Sequence, residues 1–331
     1  MPRVVACPDK FRGTATATEV ARAMAQAARS AGWEAGAVPL ADGGEGILEV
    51  LGGGRRHTRV TGPLGEPVDA EWRSHGDLAI VEMAKASGLV LVGGAEGNDP
   101  LRASTIGTGE LLAEVLETGA TQVIVGMGGS ATTDGGLGCL RALPSKNRLI
   151  GVELRVACDV RTHFVDAAGE FGPQKGASDA QVALLERRLE RLAQVYEDDY
   201  GVDVRPLDGS GAAGGLAGGL AAIGAALEPG FDLVAGMVEL EDHIEGADLV
   251  ITGEGQLDRP SFDGKVVGGV LDLAQRAGVH VVVVTGRVLD GVEAPVPVVS
   301  LVERFGEERA LGDTAACVAE AVTEVLATQA L

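Results

Sequence analysis

The feature that most restricts the fold is an alternation: short apolar runs end in glycine-rich turns, and helix-period segments follow them. Val4–Cys7 reads as a strand and Pro8–Thr14 as its turn. Thr18 then reads as the cap of a helix with Val20, Met24 and Ala27 inward, closing near Gly32. Ala37–Leu40 reads as a second strand and runs into Ala41-Asp42-Gly43-Gly44-Glu45-Gly46. Further strands are expected at Leu78–Glu82, Val123–Val125, Leu154–Ala157, Leu249–Thr252 and Val281–Thr285. Helical patterns cover Gly109–Glu117, Ser178–Tyr196, Val266–Arg276 and Asp313–Leu326. Such alternation predicts an α/β fold with a mostly parallel, doubly wound sheet, in which ligands bind beyond the carboxyl ends of the strands.

Composition narrows this further. A chain of 331 residues is long enough for two domains with separate cores. Its 50 glycines are roughly double the usual share, and they cluster in turns instead of repeating. Aromatics are only 3%, so the core must be built from Val, Leu, Ile and Ala. The net charge of −21 repels nucleic acid and anionic membranes, so a small molecule is the expected partner. An anionic substrate would need a locally positive site. Of the five lysines, Lys10, Lys85, Lys146, Lys175 and Lys265, three lie in Gly/Pro contexts: PDKFRG, FGPQKG and FDGK. Cys7, Cys139, Cys158 and Cys317 form no C-x-x-C pair, which fits a reduced, cytoplasmic setting. The N-terminus has no apolar region long enough for a signal peptide. The uncharged stretch Gly209–Leu227 is mostly Gly and Ala, and reads as a closely packed helix of a soluble protein.

Several glycine loops hold carboxylates or single cations: ADGGEG (Asp42, Glu45), GMGGSATTDGG (Ser130, Asp134), GSGAAGG, TGEGQLD (Glu254, Asp258) and SFDGK (Ser261, Lys265). Glycine lets successive backbone N–H groups turn toward an anion, and nearby carboxylates suit Mg²⁺ binding or proton abstraction from a hydroxyl. The run Gly126-Met-Gly128-Gly-Ser-Ala131 also matches the dinucleotide pattern G-x-G-x-x-A. The acidic residue that pattern needs falls at Glu153, at a strand's start and beyond an interruption at Pro144–Arg148. A Walker A loop is absent, because Lys265 is followed by Val.

Taken in order, these loops resemble the glycerate kinase family of the bacterial type, from Val4 to at least Thr285. The matching stretches begin with Pro8-Asp9-Lys10-Phe11-Arg12-Gly13, Pro39-Leu40-Ala41-Asp42-Gly43-Gly44-Glu45-Gly46 and Ser104-Thr105-Ile106-Gly107-Thr108-Gly109-Glu110-Leu111. They continue with Gly128-Gly129-Ser130-Ala131-Thr132-Thr133-Asp134-Gly135-Gly136, Cys158-Asp159-Val160 and Phe171-Gly172-Pro173-Gln174-Lys175-Gly176. Gly211-Ala212-Ala213-Gly214-Gly215-Leu216 and Ile251-Thr252-Gly253-Glu254-Gly255-Gln256-Leu257-Asp258 follow, then Ser261 and Gly264-Lys265. The resemblance implies a flavodoxin/Rossmann-like parallel-sheet domain, residues 1–75 together with 260–331, and an inserted irregular α/β domain, residues 76–259, with a cleft between them. It also implies transfer of the ATP γ-phosphoryl group to D-glycerate, giving 2- or 3-phosphoglycerate, with Mg²⁺.

On that basis the expected roles follow from side-chain chemistry. Asp42 or Glu45 acts on the acceptor hydroxyl or binds Mg²⁺; Lys10 or Arg12, beside Asp9, meets the substrate carboxylate; Glu254 and Asp258 hold the metal. Gly128, Gly129, Ser130, Gly214 and Gly215 cradle phosphates, and Lys175 or Lys265 neutralises charge in the transition state. Three departures from the family pattern stand out. Lys10 and Arg12 replace its usual Ser and Lys, Arg161-Thr162-His163 replaces its Asn-Pro-Leu, and the stretch between Leu140 and Glu153 is several tens of residues shorter. The shortened segment leaves a non-catalytic ligand sensor as a competing reading, and the G-x-G-x-x-A match leaves an NAD(P)-dependent hydroxy-acid oxidoreductase as another.

Overall fold

The fold is described from a computed structural model, which defines residues 1–143 and 149–329. The interruption expected at Pro144–Arg148, with Lys146 inside it, lies outside the described residues. The strands, in chain order, are β1 (Arg3–Ala6), β2 (Glu34–Ala37), β3 (Gly54–Thr61), β4 (Pro67–His75), β5 (Leu78–Glu82), β6 (Gln122–Met127) and β7 (Glu153–Cys158). They continue as β8 (Ala226–Pro229), β9 (Leu249–Thr252), β10 (Gln256–Leu257), β11 (His280–Thr285), β12 (Arg287–Val288) and β13 (Val298–Ser300). The chain divides into two compact units. One holds Met1–Asp42, Glu49–Leu51 and Phe231–Leu331; the other holds Gly43–Leu48 and Gly52–Gly230.

The first unit is built on a five-stranded sheet ordered β13-β11-β9-β1-β2, with every neighbouring pair parallel. Its central strands β1, β9 and β11 are rich in Val and Ile and bury almost completely: Val4, Val5, Ile251, Val283 and Val284 have no exposed surface. One face is covered by helix Ala17–Ser30, which points Val20, Ala21, Met24, Ala25 and Ala28 inward. The helix is capped by Thr16, not Thr18 as the sequence pattern suggested. The Thr16 hydroxyl accepts from Glu19 N and the Glu19 carboxylate accepts from Thr16 N, a reciprocal pairing that satisfies two amides at once.

The second unit carries a six-stranded sheet ordered β3-β4-β5-β6-β7-β8. Strands β5 to β8 are parallel, while β3, β4 and β5 pair antiparallel. The Gly/Pro-rich segment Thr61–Asp77 reads in the sequence as a domain boundary. In the structure it contains the tight turn of the β3–β4 hairpin, closed by Gly62 N donating to Glu66 O at 2.6 Å, and all of β4. The hairpin escaped the sequence reading because β3 carries Arg55, Arg56, His57 and Arg59 on both of its faces, which dilutes the apolar signal. The other compositional boundary, near Asp258–Gly264, is a short 3₁₀ turn over Arg259–Phe262 inside the first unit. The units accordingly change over at residues 42–52 and 230–231, and not near residues 75 and 260.

The apolar stretch Gly209–Leu227 is also not one helix. Ala213 (φ 52°) and Gly214 (φ 68°) break it, leaving a buried 3₁₀ turn over Ala212–Gly215 and a helix confined to Leu216–Ala222. The surest helix of the sequence, from Ser178, runs over Asp179–Tyr200 and buries Leu185, Leu189, Ala193 and Tyr196. Among the described residues no helix is long and apolar enough to cross a membrane.

Candidate active site

In the first unit the winding of the sheet reverses between β1 and β9, the position where doubly wound sheets bind ligands. Two acidic residues emerge there. Hydrogen bonding between the strands continues past their ends, with Cys7 N donating to Ile251 O at 2.9 Å and Asp9 N to Gly253 O at 2.8 Å. Asp9 and Glu254 therefore leave the sheet side by side. On the other flank the expected strand Ala37–Leu40 is displaced, since β2 ends at Ala37 and Pro39 has no N–H for a ladder. Val38 and Leu40 nevertheless donate to Ala6 O and Pro8 O, at 2.8 and 2.9 Å. Those bonds carry the chain alongside β1 and deliver Asp42. Lys10 Nζ lies 3.8 Å from Asp42 Oδ1 and 3.9 Å from Asp9 Oδ1.

Burial dominates the electrostatics of this cluster. It pushes the Asp9 carboxyl up to about 6; Lys10 and Lys265 oppose the rise and Asp42 adds to it. Glu254 is pushed up to about 7, again chiefly by burial, against Ser261 and Lys265 and with help from Asp9 and Asp258. Glu254 Oε1 is buried with no hydrogen-bond partner. Leaving such an atom unpaired costs about 1–3 kcal/mol, more when it is charged, unless a ligand relieves it. An incoming hydroxyl or cation would do so.

Asp258 behaves differently from its expected partner Glu254. Its Oδ1 accepts from Ser261 N and from Ser261 Oγ, both at 2.9 Å, which caps the 3₁₀ turn that follows. Among the described residues no group of three or more His, Cys, Asp or Glu side chains is arranged to hold a metal ion. The Glu254 oxygen does suit Mg²⁺, which takes one or two protein carboxylates and completes its shell with phosphate and water oxygens. Lys265 stands at the start of helix Val266–Ala277, and its charge acts on both Asp9 and Glu254. Arg12 is exposed.

In the second unit the glycine loop after β6 packs against the loop that holds Glu45. A Cβ on Gly128 would meet Gly44 Cα at 2.8 Å, and one on Gly129 (φ 64°) would meet Glu45 Oε1 at 2.6 Å. Only glycine allows this approach. The Glu45 loop is held from behind by Glu82, a buried residue at the end of β5 whose Oε1 accepts from Gly46 N at 2.8 Å and Leu48 N at 3.2 Å. Sequence reasoning did not single out Glu82, although a carboxylate ending an apolar strand was the available signal. The helix after this loop starts only at Leu137. A dinucleotide loop opens its helix directly, so the G-x-G-x-x-A match is a coincidence of spacing.

Asp134, in the same loop, is consumed by structure. It accepts from Thr105 N at 2.9 Å, and also from Ser104 Oγ, Thr105 Oγ1, Gly136 N and Gly138 N. Gly214 and Gly215 are buried, and a Cβ on Gly214 would collide with the Thr132 carbonyl. Glycine is required there for backbone packing against the 132–135 stretch. Lys175, expected in an open turn, is instead buried; its Nζ donates to Thr132 O at 2.7 Å, and burial lowers its pKa to about 7.

Glu254, Asp9, Lys10, Asp42 and Lys265 thus share one cluster in the first unit, while Glu45, Gly128–Ser130, Lys175 and Gly214–Gly215 gather around one loop system in the second. Comparison with known proteins gives this arrangement a lineage. The family model described as the glycerate kinase family matches residues 4–147 and 144–329, two stretches that meet at the segment expected to be shortened. The chain is 41% identical to glycerate 2-kinase of Escherichia coli K12, over 88% of this chain and 86% of that protein. It is 39% identical to glycerate kinase of Halalkalibacterium halodurans, over 89% and 88%. A crystal structure assigned to glycerate kinase 2 of Salmonella typhimurium LT2 superposes with a TM-score of 0.83 at 34% identity, covering 99% of this chain and 98% of that one. With a match of this extent, the chain belongs to the glycerate kinase family.

Proposed function

We infer that the chain transfers the γ-phosphoryl group of ATP to a hydroxyl of D-glycerate. The observation that carries the reading is the partnerless buried oxygen of Glu254 at the switch point of a parallel sheet, beside Asp9, Lys10, Asp42 and Lys265. Such a cluster offers what acceptor chemistry needs. Lys10, with Arg12 at its edge, supplies local positive charge for a carboxylate in a chain of net charge −21. Asp42 is assigned the proton of the attacking hydroxyl. Glu254 would hold Mg²⁺, and the ion would screen charge on the phosphate oxygens when bound. Lys265, rather than Lys175, is assigned to the charge that develops on the transferred group, since Lys175 is buried in the second unit, where its Nζ donates to Thr132 O. The Gly128–Ser130 loop is assigned to the nucleotide phosphates, and Gly214–Gly215 to holding that loop in shape.

The name of the Escherichia coli relative points to the 2-hydroxyl as acceptor, and the same is proposed here. The test is a single-turnover assay with ATP, Mg²⁺ and D-glycerate, followed by product analysis. 2-Phosphoglycerate is expected. No phosphate transfer would leave the sensor reading standing, and 3-phosphoglycerate would correct the position of transfer.

A further inference from the structure

One segment of the second unit exposes apolar surface beside the glycine loop. Leu89-Val90-Leu91-Val92 forms a 3₁₀ turn in which none of the four residues is buried. Val90 is 82% exposed and Leu91 42%; among the described residues no other pair of large exposed apolar side chains is adjacent in sequence. Leaving this surface in water costs stability, at roughly 25 cal/mol for each Å² that is not buried.

The segment is fixed at both ends to the loops discussed above. Gly88 and Ser130 form an antiparallel bridge, Leu89 N donates to Gly129 O at 2.8 Å and Ala131 N donates to Ser87 O at 3.0 Å. Further along, Asn98 Nδ2 donates to Ala131 O at 3.0 Å and to Lys175 O at 2.9 Å. Residues 89–98 thus form a strap tied to Gly129 at one end, and to Ala131 and Lys175 at the other. Val90 and Leu91 stand just beyond the first tie.

The chemistry of the substrates selects the occupant. Glycerate and a triphosphate are polar throughout, and the only flat apolar surface among the reactants belongs to the nucleobase. One ribose separates the base from the phosphates, so a loop that takes the phosphates leaves the base close to the side chains tied to that loop, where a pair of aliphatic groups can cover one face of the ring. We propose that Val90 and Leu91 form the platform for the purine base of the nucleotide. The assignment rests on the kinase reading and deepens it by naming the residues that recognise the base.

The experiment replaces both side chains, Val90→Ser with Leu91→Ser, and titrates the full-length protein with ADP and, separately, with inorganic pyrophosphate, both with Mg²⁺. Loss of the platform should weaken ADP about tenfold. Pyrophosphate affinity, the KM for glycerate and the melting temperature should stay as in the unsubstituted protein. The conservative single change Leu91→Met should keep most of the ADP affinity. Unchanged ADP affinity in a protein that still phosphorylates glycerate overturns the platform while leaving the kinase reading intact. Equal weakening of ADP and pyrophosphate overturns it too, because the strap would then be shaping the glycine loop. So does a shift of the double variant to a smaller species on gel filtration, which would make the pair a contact between copies. Failure of the unsubstituted protein to phosphorylate glycerate removes the kinase reading, and the platform with it.

Discussion

Asp134 and Glu254 sit in similar glycine loops, TTDGG and GEGQ, yet the fold treats them in opposite ways. Asp134 receives donors from Ser104, Thr105, Gly136 and Gly138, and so holds its own loop against the start of helix Ile106–Glu117. Glu254 is left with a buried oxygen that nothing in the protein satisfies. A carboxylate consumed by backbone amides has no capacity left for a substrate. One with an oxygen kept dry and unpaired holds free energy that a ligand can release. Asp258 lies between these cases, with its Oδ1 accepting from Ser261 N and Ser261 Oγ. A carboxylate in a glycine loop therefore becomes a candidate for chemistry only once its hydrogen bonds are counted.

The largest effect should come from the structural side. Asp134→Ala strands the amides of Thr105, Gly136 and Gly138, and should cost about 3–5 kcal/mol of unfolding free energy. Chemical denaturation measures it. A loss under about 1 kcal/mol would mean the donors find other acceptors, and the contrast with Glu254 would collapse.

Next comes the chemical side. Asp42→Asn should lower kcat by at least about 10²-fold while leaving the melting temperature and nucleotide affinity unchanged. Asn preserves shape and any turn-type hydrogen bond, so near-normal kcat would move the proton acceptor to Glu254 or Asp9.

Lys175 tests the second unit from a different direction. Its pKa is depressed to about 7 in the folded protein, against 10.5 ordinarily, so the unfolded chain binds more protons between those values. Its contribution to stability should therefore grow as pH rises from about 7 toward 10, and be absent at lower pH, where the charge is held buried. Lys175→Met should flatten that rise in a series of denaturation midpoints, with its advantage over the parent greatest on the acid side. An unaltered pH profile would show that the ammonium is solvated after all.

The smallest effect is expected at Arg12. Because the residue is exposed, Arg12→Ala should raise the KM for glycerate only a few-fold, about 1 kcal/mol or less, and added salt should erase the difference. A rise of 10²-fold or more would mean that the guanidinium becomes buried against the substrate, and would move it into the first unit's working cluster.

Much of the local structure was legible from the residues alone. The strands at Leu78–Glu82 and Leu249–Thr252 match their expected limits, the helix Val266–Ala277 begins where the periodicity places it, and Asp179–Tyr200 begins one residue after the expected Ser178, which caps it. These elements are decided by the side chains of a few consecutive residues. The glycine loops were legible for the same reason, and so was the family. The strand order β13-β11-β9-β1-β2 was not, because it joins segments about 245 residues apart. That order alone puts Asp9 beside Glu254. The fates of the individual charged groups belong to tertiary structure as well. Lys175 reads as an open-turn cation until Thr132 and the surrounding core enclose it, and the hydrogen bonds from Ser261 to Asp258 Oδ1 are likewise not visible in the local sequence. Local sequence fixes which chemical groups a loop can offer. Which of them remain available is settled by burial and by competing hydrogen bonds, and both depend on residues far away in the chain.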